Sequence, residues 1–288
     1  MCKKMDIACG KLYIVATPIG NLKDMTFRAI EVLKEVDIIA AEDTRHTREL
    51  LNHFDINTAT TSYHEHNKYD KAKEIIEKIL SGASIAIVSD AGTPIISDPG
   101  DELVRLAIEN NIEVQAVPGA CAGINALVVS GLSASSFVFV GFLSDDNKKR
   151  KKQIDNLKCE MRTMIFYISP HNIKKDLKLL IDVFGDERLA SISREMTKIH
   201  EETIRGSLKN IYNHFNENEV RGEFVLIVKG LDEEKFKNEQ KEKWQEISVE
   251  DHFLMYQKEG FTDKVAMKKV AEDRGMDKKD IYKVLKVK

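Results

Sequence analysis

The stretch that most constrains this chain is residues 84–100, which read SIAIVSDAGTPIISDPG. Its apolar, largely β-branched start, Ile85 to Val88, predicts a strand buried on both faces. Asp90 and Asp98 follow, set among glycines and prolines that shape a loop and prevent it from joining either neighbouring element. Apolar residues resume at helical spacing from Leu103. A strand, a rigid carboxylate-bearing loop and a helix are typical of a ligand site at the carboxyl edge of an open α/β sheet.

The prolines extend this pattern to other strand ends. The chain has 5 prolines, and each follows a predicted strand: Pro18, Pro94, Pro99, Pro118 and Pro170. Proline terminates strands in proteins of every kind, so this placement alone is compatible with simple strand termination. The neighbouring Gly20, Asp90, Gly92 and Gly119 favour loops built around a ligand.

The apolar runs predict an α/β protein in three parts. We expect an α/β domain over residues 1–130, a second over 131–231 after a hinge at 131–136, and a linker with a helical domain over 232–288. Asn21 and Asp24 are candidate caps for a first helix whose apolar positions are Phe27, Ile30 and Leu33. The predicted strands are Lys11–Thr17, Val36–Ala41, Ile85–Val88 and Val114–Val117, then Phe137–Phe142, Thr163–Ser169, Leu189–Ser193 and Glu223–Lys229.

Composition excludes several classes of protein. The 288 residues are 42% hydrophobic and 32% charged, with a net charge of −3, which argues against a wholly basic nucleic-acid coat. The 4 cysteines form no C-x-x-C pair, so neither a zinc site nor a disulfide framework is indicated, and reduced thiols predict a cytoplasmic protein. The apolar runs are too short to span a membrane, and no signal-peptide core is evident near the N-terminus.

Charged segments follow three of the predicted strands. The first, Glu42 to Arg48, is either a solvated helix start or part of a site, because so many ionisable groups are not buried without partners. The run of cations Lys148 to Lys152 is either a solvated helix face or a set of RNA phosphate contacts. The third segment is Arg194 to Glu202.

Other motifs leave alternatives open. His64-Glu65-His66 lacks a spacing typical of metal ligands, so a polar loop near the active edge is favoured and no metal site is predicted. The small residues 118–123 suit a helix start packed against the sheet or against a ligand. In the tail, Gly275 separates two helical patterns in the manner of a helix-turn-helix, and this weakly basic region could contact nucleic acid or a partner subunit.

Three familiar signatures are missing from the sequence. It contains no G-x-x-x-x-G-K-[ST] loop, no G-x-G-x-x-G after the first strand and no G-x-S-x-G elbow. Spacing alone therefore predicts an α/β ligand-binding enzyme with carboxylates at the sheet edge.

An ordered set of motifs adds a resemblance to a known family. The motifs are TPIGNL (17–22), EDTRHT (42–47), YHEHN (63–67), residues 89–100, VPG (117–119), GFL (141–143) and REMTK (194–198). Together they resemble the ribosomal RNA small subunit methyltransferase I family, a branch of the tetrapyrrole methylase superfamily. The resemblance implies S-adenosylmethionine-dependent 2′-O-methylation of a cytidine in the decoding region of 16S ribosomal RNA. It also implies two α/β domains with the cofactor in the cleft between them, a small C-terminal helical domain, and a homodimer.

The resemblance assigns the cofactor contacts to three loops. One departure is that Ala120 and Cys121 stand where members usually have proline and serine, and a thiol is a weaker hydrogen-bond donor than a serine hydroxyl. The implied cofactor-binding residues are Pro18, Gly20, Asn21, Asp90, Ala91, Gly92, Thr93, Pro94, Pro118, Gly119, Ala120, Cys121 and Ala122.

A general base would help a ribose hydroxyl attack a methyl group. Asp98, Glu195 and Asp43 are candidates because each lies at a strand exit. Two alternatives remain: a methyltransferase acting on a small tetrapyrrole, which would need no cationic run, and a catalytically silent ribosome-binding factor. The candidate RNA contacts are Arg45, Arg48, Lys148, Lys149, Arg150, Lys151, Lys152 and Lys198.

Overall fold

A computed structural model describes residues 9–218, 220–232, 244 and 247–286. The chain divides into two compact units. The first comprises Met1–Leu157 with Thr163–Lys229, and the second comprises Lys158–Arg162 with Gly230–Lys288. Both sheets belong to the first unit. Most of the polar segment 232–242, interpreted from sequence as a linker, lies outside the described residues, as does Cys2.

The first sheet is parallel throughout and has the order β3-β2-β4-β1-β5. In register, Leu12 of β1 lies opposite Ile85 of β4. The third strand was not predicted, because its sequence ATTS is short and partly exposed and carries no apolar run. The strands are β1 Lys11–Val15, β2 Ile38–Ala41, β3 Ala59–Ser62, β4 Ile85–Val88 and β5 Glu113–Val117.

Helices cover both faces of this sheet. Helices α1 (Phe27–Glu35) and α2 (Thr44–His53) pack on the face that carries Ala86 and Val88. Helices α3 (Lys68–Leu80) and α4 (Asp101–Glu109) pack on the face that carries Ile85 and Ile87. All four residues of β4 are buried, which confirms the prediction from the apolar run.

The start of α1 differs from the prediction. The Asn21 side chain accepts a hydrogen bond from the Lys23 N–H and caps a short 3-10 helix, Leu22–Asp24. The cap of α1 is Thr26, whose hydroxyl accepts from the Ala29 N–H at 3.1 Å. Because this extra turn precedes the helix, Phe27 points outward and is 87% exposed, while Ala29 and Leu33 are buried.

The second sheet is mixed, with the order β6-β7-β10-β8-β9. Strands β6 and β7 are parallel, and the remaining neighbours are antiparallel. The strand β9 was not predicted, because it is an edge strand with the polar sequence ETIRGS. The strands are β6 Phe137–Phe142, β7 Thr163–Ile168, β8 Leu189–Arg194, β9 Glu202–Ser207 and β10 Phe224–Val228.

The two faces of the second sheet have different partners. One face packs against α6 (Asn147–Asn156), α7 (Ile173–Phe184) and α8 (Leu208–Glu217). The other packs against α5 (Ala122–Val129) and against Ile19, which comes from the loop after β1. This second face therefore joins the two sheets and lies next to the strand ends of the first.

The second unit is helical. Its helices are α9 (Val249–Lys258), α10 (Asp263–Arg274) and α11 (Lys278–Lys286). Gly275 ends α10 in the left-handed conformation with φ of 61°, which glycine adopts without strain. Val270, Ala271 and Ile281 form its core. The helical pattern read from the tail is therefore present.

Candidate active site: a carboxylate-lined cleft at the strand ends

Three loops meet at the carboxyl edge of the parallel sheet. Thr17 and Gly92 exchange backbone hydrogen bonds, with N···O distances of 2.9 and 3.1 Å, and so join the loops after β1 and β4. The loop after β5 lies against the first of these, since a Cβ added to Gly119 would lie only 2.9 Å from the Cβ of Ala16. Connections leave β1 and β4 toward opposite sides of the sheet, which makes this the topological switch point where α/β proteins bind ligands.

A cavity of about 480 Å³ opens at this edge. Its volume suits a small-molecule ligand. Both sheets contribute to it, because residues after β1, β2, β4 and β5 face residues from β6, β7, β10 and the loop after β8. The lining residues are Ile19, Glu42, Asp90, Ala91, Gly92, Thr93, Ile96, Ser97, Asp98, Cys121, Ala122, Phe142, Tyr167, Ile168, Ser169, Pro170, Met196, Glu223, Phe224 and Val225.

The cavity brings together part of the cofactor set expected from sequence. Those that line it are Asp90, Ala91, Gly92, Thr93, Cys121 and Ala122. The others lie in the same loops without lining the cavity: Pro18, Gly20, Asn21, Pro94, Pro118, Gly119 and Ala120.

Gly20 packs against a loop of the second sheet. It lies against the loop between β8 and β9, since an added Cβ would be 2.5 Å from Lys198 Cγ. The φ of Gly20 is 150°, so the backbone and the close contact both exclude a larger residue there.

The start of α5 shows how the Ala120-Cys121 departure is accommodated. Cys121 is the N-cap residue and makes no side-chain cap hydrogen bond. The Gly123 N–H instead donates to the Tyr167 hydroxyl at 3.1 Å. A residue of the second sheet thus satisfies a donor that a serine cap would ordinarily take.

The loop after β4 is strained. Ile95 and Ser97 have φ of 77° and 70°, in the left-handed region that a β-branched residue seldom adopts. Gly100 permits this path, because an added Cβ would be 2.7 Å from Ile95 Cγ1. Such strain persists where the surroundings over-determine the backbone, and it concentrates at functional sites. Asp98 directly follows the strained Ser97 and lines the cavity.

Acidic groups dominate the electrostatics of the cavity. Glu42, Asp90, Asp98 and Glu223 line it, and the lining residues include no lysine or arginine. Burial raises the pKa of Asp98, and the charge of Asp90 adds to the effect. Burial also raises the pKa of Glu42, with Asp98 and Asp90 contributing. The arrangement suits a cationic ligand.

The three candidate bases occupy different environments. Asp98 lines the cavity. Asp43 caps α2 and binds the Arg45 guanidinium at 2.9 Å, and these hydrogen bonds lower its pKa to about 2. Glu195 accepts from the Glu223 N–H at 3.0 Å and from Lys198 Nζ at 3.1 Å, which lowers its pKa. Neither Asp43 nor Glu195 is among the lining residues.

One of the candidate RNA contacts is wrong. Arg150 is 1% exposed, and its guanidinium pairs with Asp176 of α7 at 3.0 Å and donates to the Ser144 carbonyl at 2.7 Å. A buried guanidinium cannot contact an RNA phosphate. It faces inward because it lies one helical turn before Ile154, on the buried side of α6.

The remaining candidate cations lie at the surface and differ in whether a carboxylate binds them. Lys198 is shared between Glu195 and Glu223. Arg45 is exposed but engaged by Asp43. The exposed residues of the set are Arg45, Arg48, Lys148, Lys149, Lys151 and Lys152.

Several lining residues were not expected from sequence. Glu42 stood in a recognised charged segment but was not selected. Tyr167, Ser169 and Pro170 come from the end of β7, and the proline rule that marked the other loops also marks this one. Phe142 belongs to the GFL motif, yet nothing in that motif alone assigned it a position in the cavity.

The motif YHEHN follows β3. Tyr63 is buried, and burial raises its pKa to about 12. No cluster of histidine, cysteine and acidic side chains suited to a metal ion occurs within residues 9–218, 220–232, 244 and 247–286. Nor does any helix in that part of the chain combine the length and apolar character needed to cross a bilayer.

Comparison with known proteins identifies the family. Residues 11–212 match the family described as Tetrapyrrole (Corrin/Porphyrin) Methylases. The ribosomal RNA small subunit methyltransferase I of Halalkalibacterium halodurans is 50% identical over 96% of this chain and 94% of its own length. The chain belongs to this methyltransferase family. The Bacillus subtilis and Synechocystis members are 44% and 45% identical, over 97% and 96% of this chain and 95% and 97% of their own lengths.

Solved structures confirm the predicted fold class. A uroporphyrin-III-C-methyltransferase from Thermus thermophilus has a TM-score of 0.55 at 17% identity, covering 76% of this chain and 94% of its own. Diphthine synthase has a TM-score of 0.57 at 14% identity, covering 76% and 89%. A third structure, the Thermus thermophilus uroporphyrin-III C-methyltransferase complexed with S-adenyl homocysteine, has a TM-score of 0.54 at 16% identity, covering 76% and 97%.

The raised pKa of Asp98 predicts a pH-dependent stability effect. The Asp98 carboxylate binds a proton more tightly in the folded protein than in the unfolded chain, where its pKa is 3.8. The ionised carboxylate therefore destabilises the folded state at neutral pH. We expect D98N to have a higher free energy of unfolding than wild type at pH 7. The difference in free energy of unfolding between D98N and wild type should shrink as the pH falls toward 3.8.

Urea denaturation across this pH range measures the effect. The matched control is E31Q, which neutralises an exposed carboxylate on α1 outside the cavity. A D98N protein less stable than wild type at pH 7 contradicts the interpretation.

Proposed function

We propose that this chain transfers a methyl group from S-adenosylmethionine to the ribose 2′-oxygen of a cytidine in the decoding region of 16S ribosomal RNA. The observation that carries the proposal is the carboxylate-lined cavity at the switch point, in a member of the ribosomal RNA small subunit methyltransferase I family. The substrate is the RNA of the small ribosomal subunit, and the site of action is the cytoplasm.

The cavity fits S-adenosylmethionine in charge and in shape. The cofactor supplies an electrophilic methyl group on a positively charged sulfur, and Glu42, Asp90 and Asp98 provide the complementary negative charge. Ile19, Met196 and Val225 offer an apolar wall for a flat ring. Gly92 lets the backbone of its loop approach a ligand closely, with φ of 87°.

Asp98 is the general base in this proposal. Its half-buried carboxylate faces the cavity, whereas Asp43 and Glu195 are held by cationic partners. Burial and the neighbouring Asp90 raise the pKa of Asp98, which increases its affinity for the proton that the ribose hydroxyl loses. The loops fix the base and so reduce the entropy lost on reaching the reactive arrangement.

RNA would be held by the exposed lysines of α6. That helix begins at Asn147, shortly after the cavity residue Phe142, so Lys148, Lys149, Lys151 and Lys152 follow the cavity edge along the chain. Phosphate contacts of this kind position RNA without reading its sequence. The buried Arg150 has a structural role, because it anchors α6 to α7.

We also propose that the chain forms a homodimer through α5 and β6. Ile124 and Val128 of α5 are 41% and 73% exposed, and Phe137 and Phe139 on the edge strand β6 are 40% and 38% exposed. The start of α5 lies against β6, since a Cβ added to Gly123 would be 3.4 Å from Phe139 Cε2. Exposed apolar residues of this kind favour a protein interface. Sedimentation velocity should show a species of twice 32.7 kDa, and a monomer at all concentrations would refute the proposal.

Replacing Asp98 tests its role in catalysis. Because general bases contribute about 10²- to 10⁴-fold to rate, we expect D98N to lower kcat for methyl transfer to purified 30S subunits by this factor. The other two carboxylates serve as comparators: D43N and E195Q should lower kcat less than about tenfold. Transfer of labelled methyl groups measures the rates, and calorimetry measures cofactor affinity.

A D98N enzyme with unchanged kcat would contradict the assignment of Asp98 as the general base. Loss of cofactor binding with no separate effect on kcat would also remove it and would assign Asp98 to cofactor recognition instead. The wild-type enzyme also separates the broader alternatives, since a silent ribosome-binding factor would bind 30S subunits without transferring a methyl group.

The cationic run predicts two distinct phenotypes within one helix. Replacing Lys148, Lys149, Lys151 and Lys152 by alanine removes exposed charges, so we expect weaker binding to 30S subunits and a shallower dependence of log K on log salt, by about 0.7 to 0.9 per lost phosphate contact. Stability should change little, because surface substitutions are usually within about 0.5 kcal/mol of wild type.

Arg150 is the internal control for that experiment. Removing one partner of a buried ion pair costs about 3–5 kcal/mol, so R150A should lower the free energy of unfolding by roughly this amount. Burial raises the pKa of Asp176 to about 6 even beside Arg150, which shows how poorly that carboxylate is solvated. An unaltered salt dependence in the lysine variant, or an R150A protein as stable as wild type, would contradict this division of roles.

A further inference from the structure

Phe142 is an exposed aromatic residue in the cavity that Glu42, Asp90, Asp98 and Glu223 also line. It ends β6, lines the cavity together with Asp98, and is 56% exposed. The other aromatic lining residues are better covered, since Tyr167 is half-buried and Phe224 is 2% exposed. Neither the charge match to a sulfonium nor the general base accounts for this ring.

A β-bulge places Phe142 on the cavity side of the sheet. Phe139 pairs with Ile165 of β7, but the next residue pair is Gly141 with Phe166, so Val140 is an extra residue. Side chains alternate along a strand, and without the bulge Phe142 would share the face of Val140, which packs against the core under α6 to α8. With the bulge, Phe142 shares the face of Phe139. Bulges redirect side chains in this way beside active sites.

Other aromatic residues fix the redirected ring. The Phe142 and Tyr167 ring centroids are 5.4 Å apart with planes at 70°, and Tyr167 meets Phe139 at 5.2 Å and 84°. The Tyr167 hydroxyl is held in turn by the Gly123 N–H at 3.1 Å. Edge-to-face contacts of this type are favourable in themselves, so Phe142 is preorganised although most of it is open to solvent.

We propose that Phe142 is the platform on which the pyrimidine base of the target nucleotide stacks while its ribose 2′-oxygen reaches Asp98. The inference rests on the proposed function and adds a residue that recognises the substrate. The base and the reacting oxygen belong to one nucleotide, so the proposal needs a site for the base near Asp98, and Phe142 lines the same cavity as Asp98. Unpaired RNA bases are commonly bound by stacking on aromatic side chains.

Variants of Phe142 test the stack. F142A should lower kcat/KM for 30S subunits by about 5- to 160-fold, the range for loss of one base–aromatic stack, with cofactor affinity unchanged by calorimetry. F142W and F142Y should retain most activity, whereas F142L, which keeps an apolar side chain but no ring, should behave like F142A. The matched control is F27A, which removes an 87% exposed phenylalanine from α1 and should leave kcat/KM unchanged.

A double-mutant cycle that combines F142A with a change in the RNA makes the test specific to the base. In 30S subunits reconstituted with an abasic residue at the methylated position, the ribose hydroxyl remains but the stack does not. Wild type should lose activity on this substrate by the same factor as F142A loses on the normal one, and F142A should lose little more.

Three results would overturn the proposal. An F142L enzyme as active as wild type would show that only apolar packing matters. A fall in cofactor affinity matching the fall in kcat/KM would place Phe142 against the cofactor, and additive losses in the abasic cycle would show that Phe142 does not contact the base. Failure of the proposed function is distinct from all three, because wild type itself would then transfer no methyl group to 30S subunits.

Discussion

The reciprocal hydrogen bonds between Thr17 and Gly92 determine where the site can form. They join the ends of two adjacent parallel strands from which the chain departs in opposite directions. The Thr17 hydroxyl, itself buried, adds a bond to the Ser89 carbonyl at 3.2 Å, and the Ser89 hydroxyl reaches the Gly92 carbonyl at 3.3 Å. The strained residues Ile95 and Ser97 follow this fixed point along the chain, and Asp98, directly after them, lines the cavity.

The same arrangement lowers the stability of the folded chain at the candidate active site. Glu42 and Asp98, whose pKa values are raised by burial and by neighbouring carboxylates, destabilise the folded chain when ionised, as do left-handed conformations at non-glycine residues. A bound cation would relieve the first of these penalties, since it replaces repulsion among Glu42, Asp90 and Asp98 by attraction. Strain and repulsion that lack a structural benefit are typical of sites kept for activity. Glu195, by contrast, is neutralised by Lys198 and supports the backbone of Glu223, so its charge has a structural use.

The sequence predicts the buried strands well, because continuous β-branched runs such as Ile85 to Val88 have few alternatives. It fails at the sheet edges, where Ala59–Ser62 and Glu202–Ser207 are polar and partly exposed, and where pairing with a neighbour supplies what the residues lack. It also fails at Arg150. Five consecutive cations look alike in sequence, and only the packing of α6 against α7 turns one of them inward to Asp176. Charge pattern predicts which segment is basic but does not identify the buried member.

The position of Phe142 shows that a break in the two-residue alternation of a strand can predict a structural feature that composition does not. Phe137 and Phe139 lie two residues apart, as the alternation of a strand requires, but Phe142 follows Phe139 by three. Gly141 stands between them with φ of 71°, and an isolated glycine within a strand indicates a bulge. Read together, the glycine and the shifted phenylalanine predict that one residue is extra and that both rings face the same side. In the motif GFL, Gly141 therefore permits the bulge, and the bulge turns the ring of Phe142 toward the cavity. The first sheet contributes the carboxylates Glu42, Asp90 and Asp98 to that cavity.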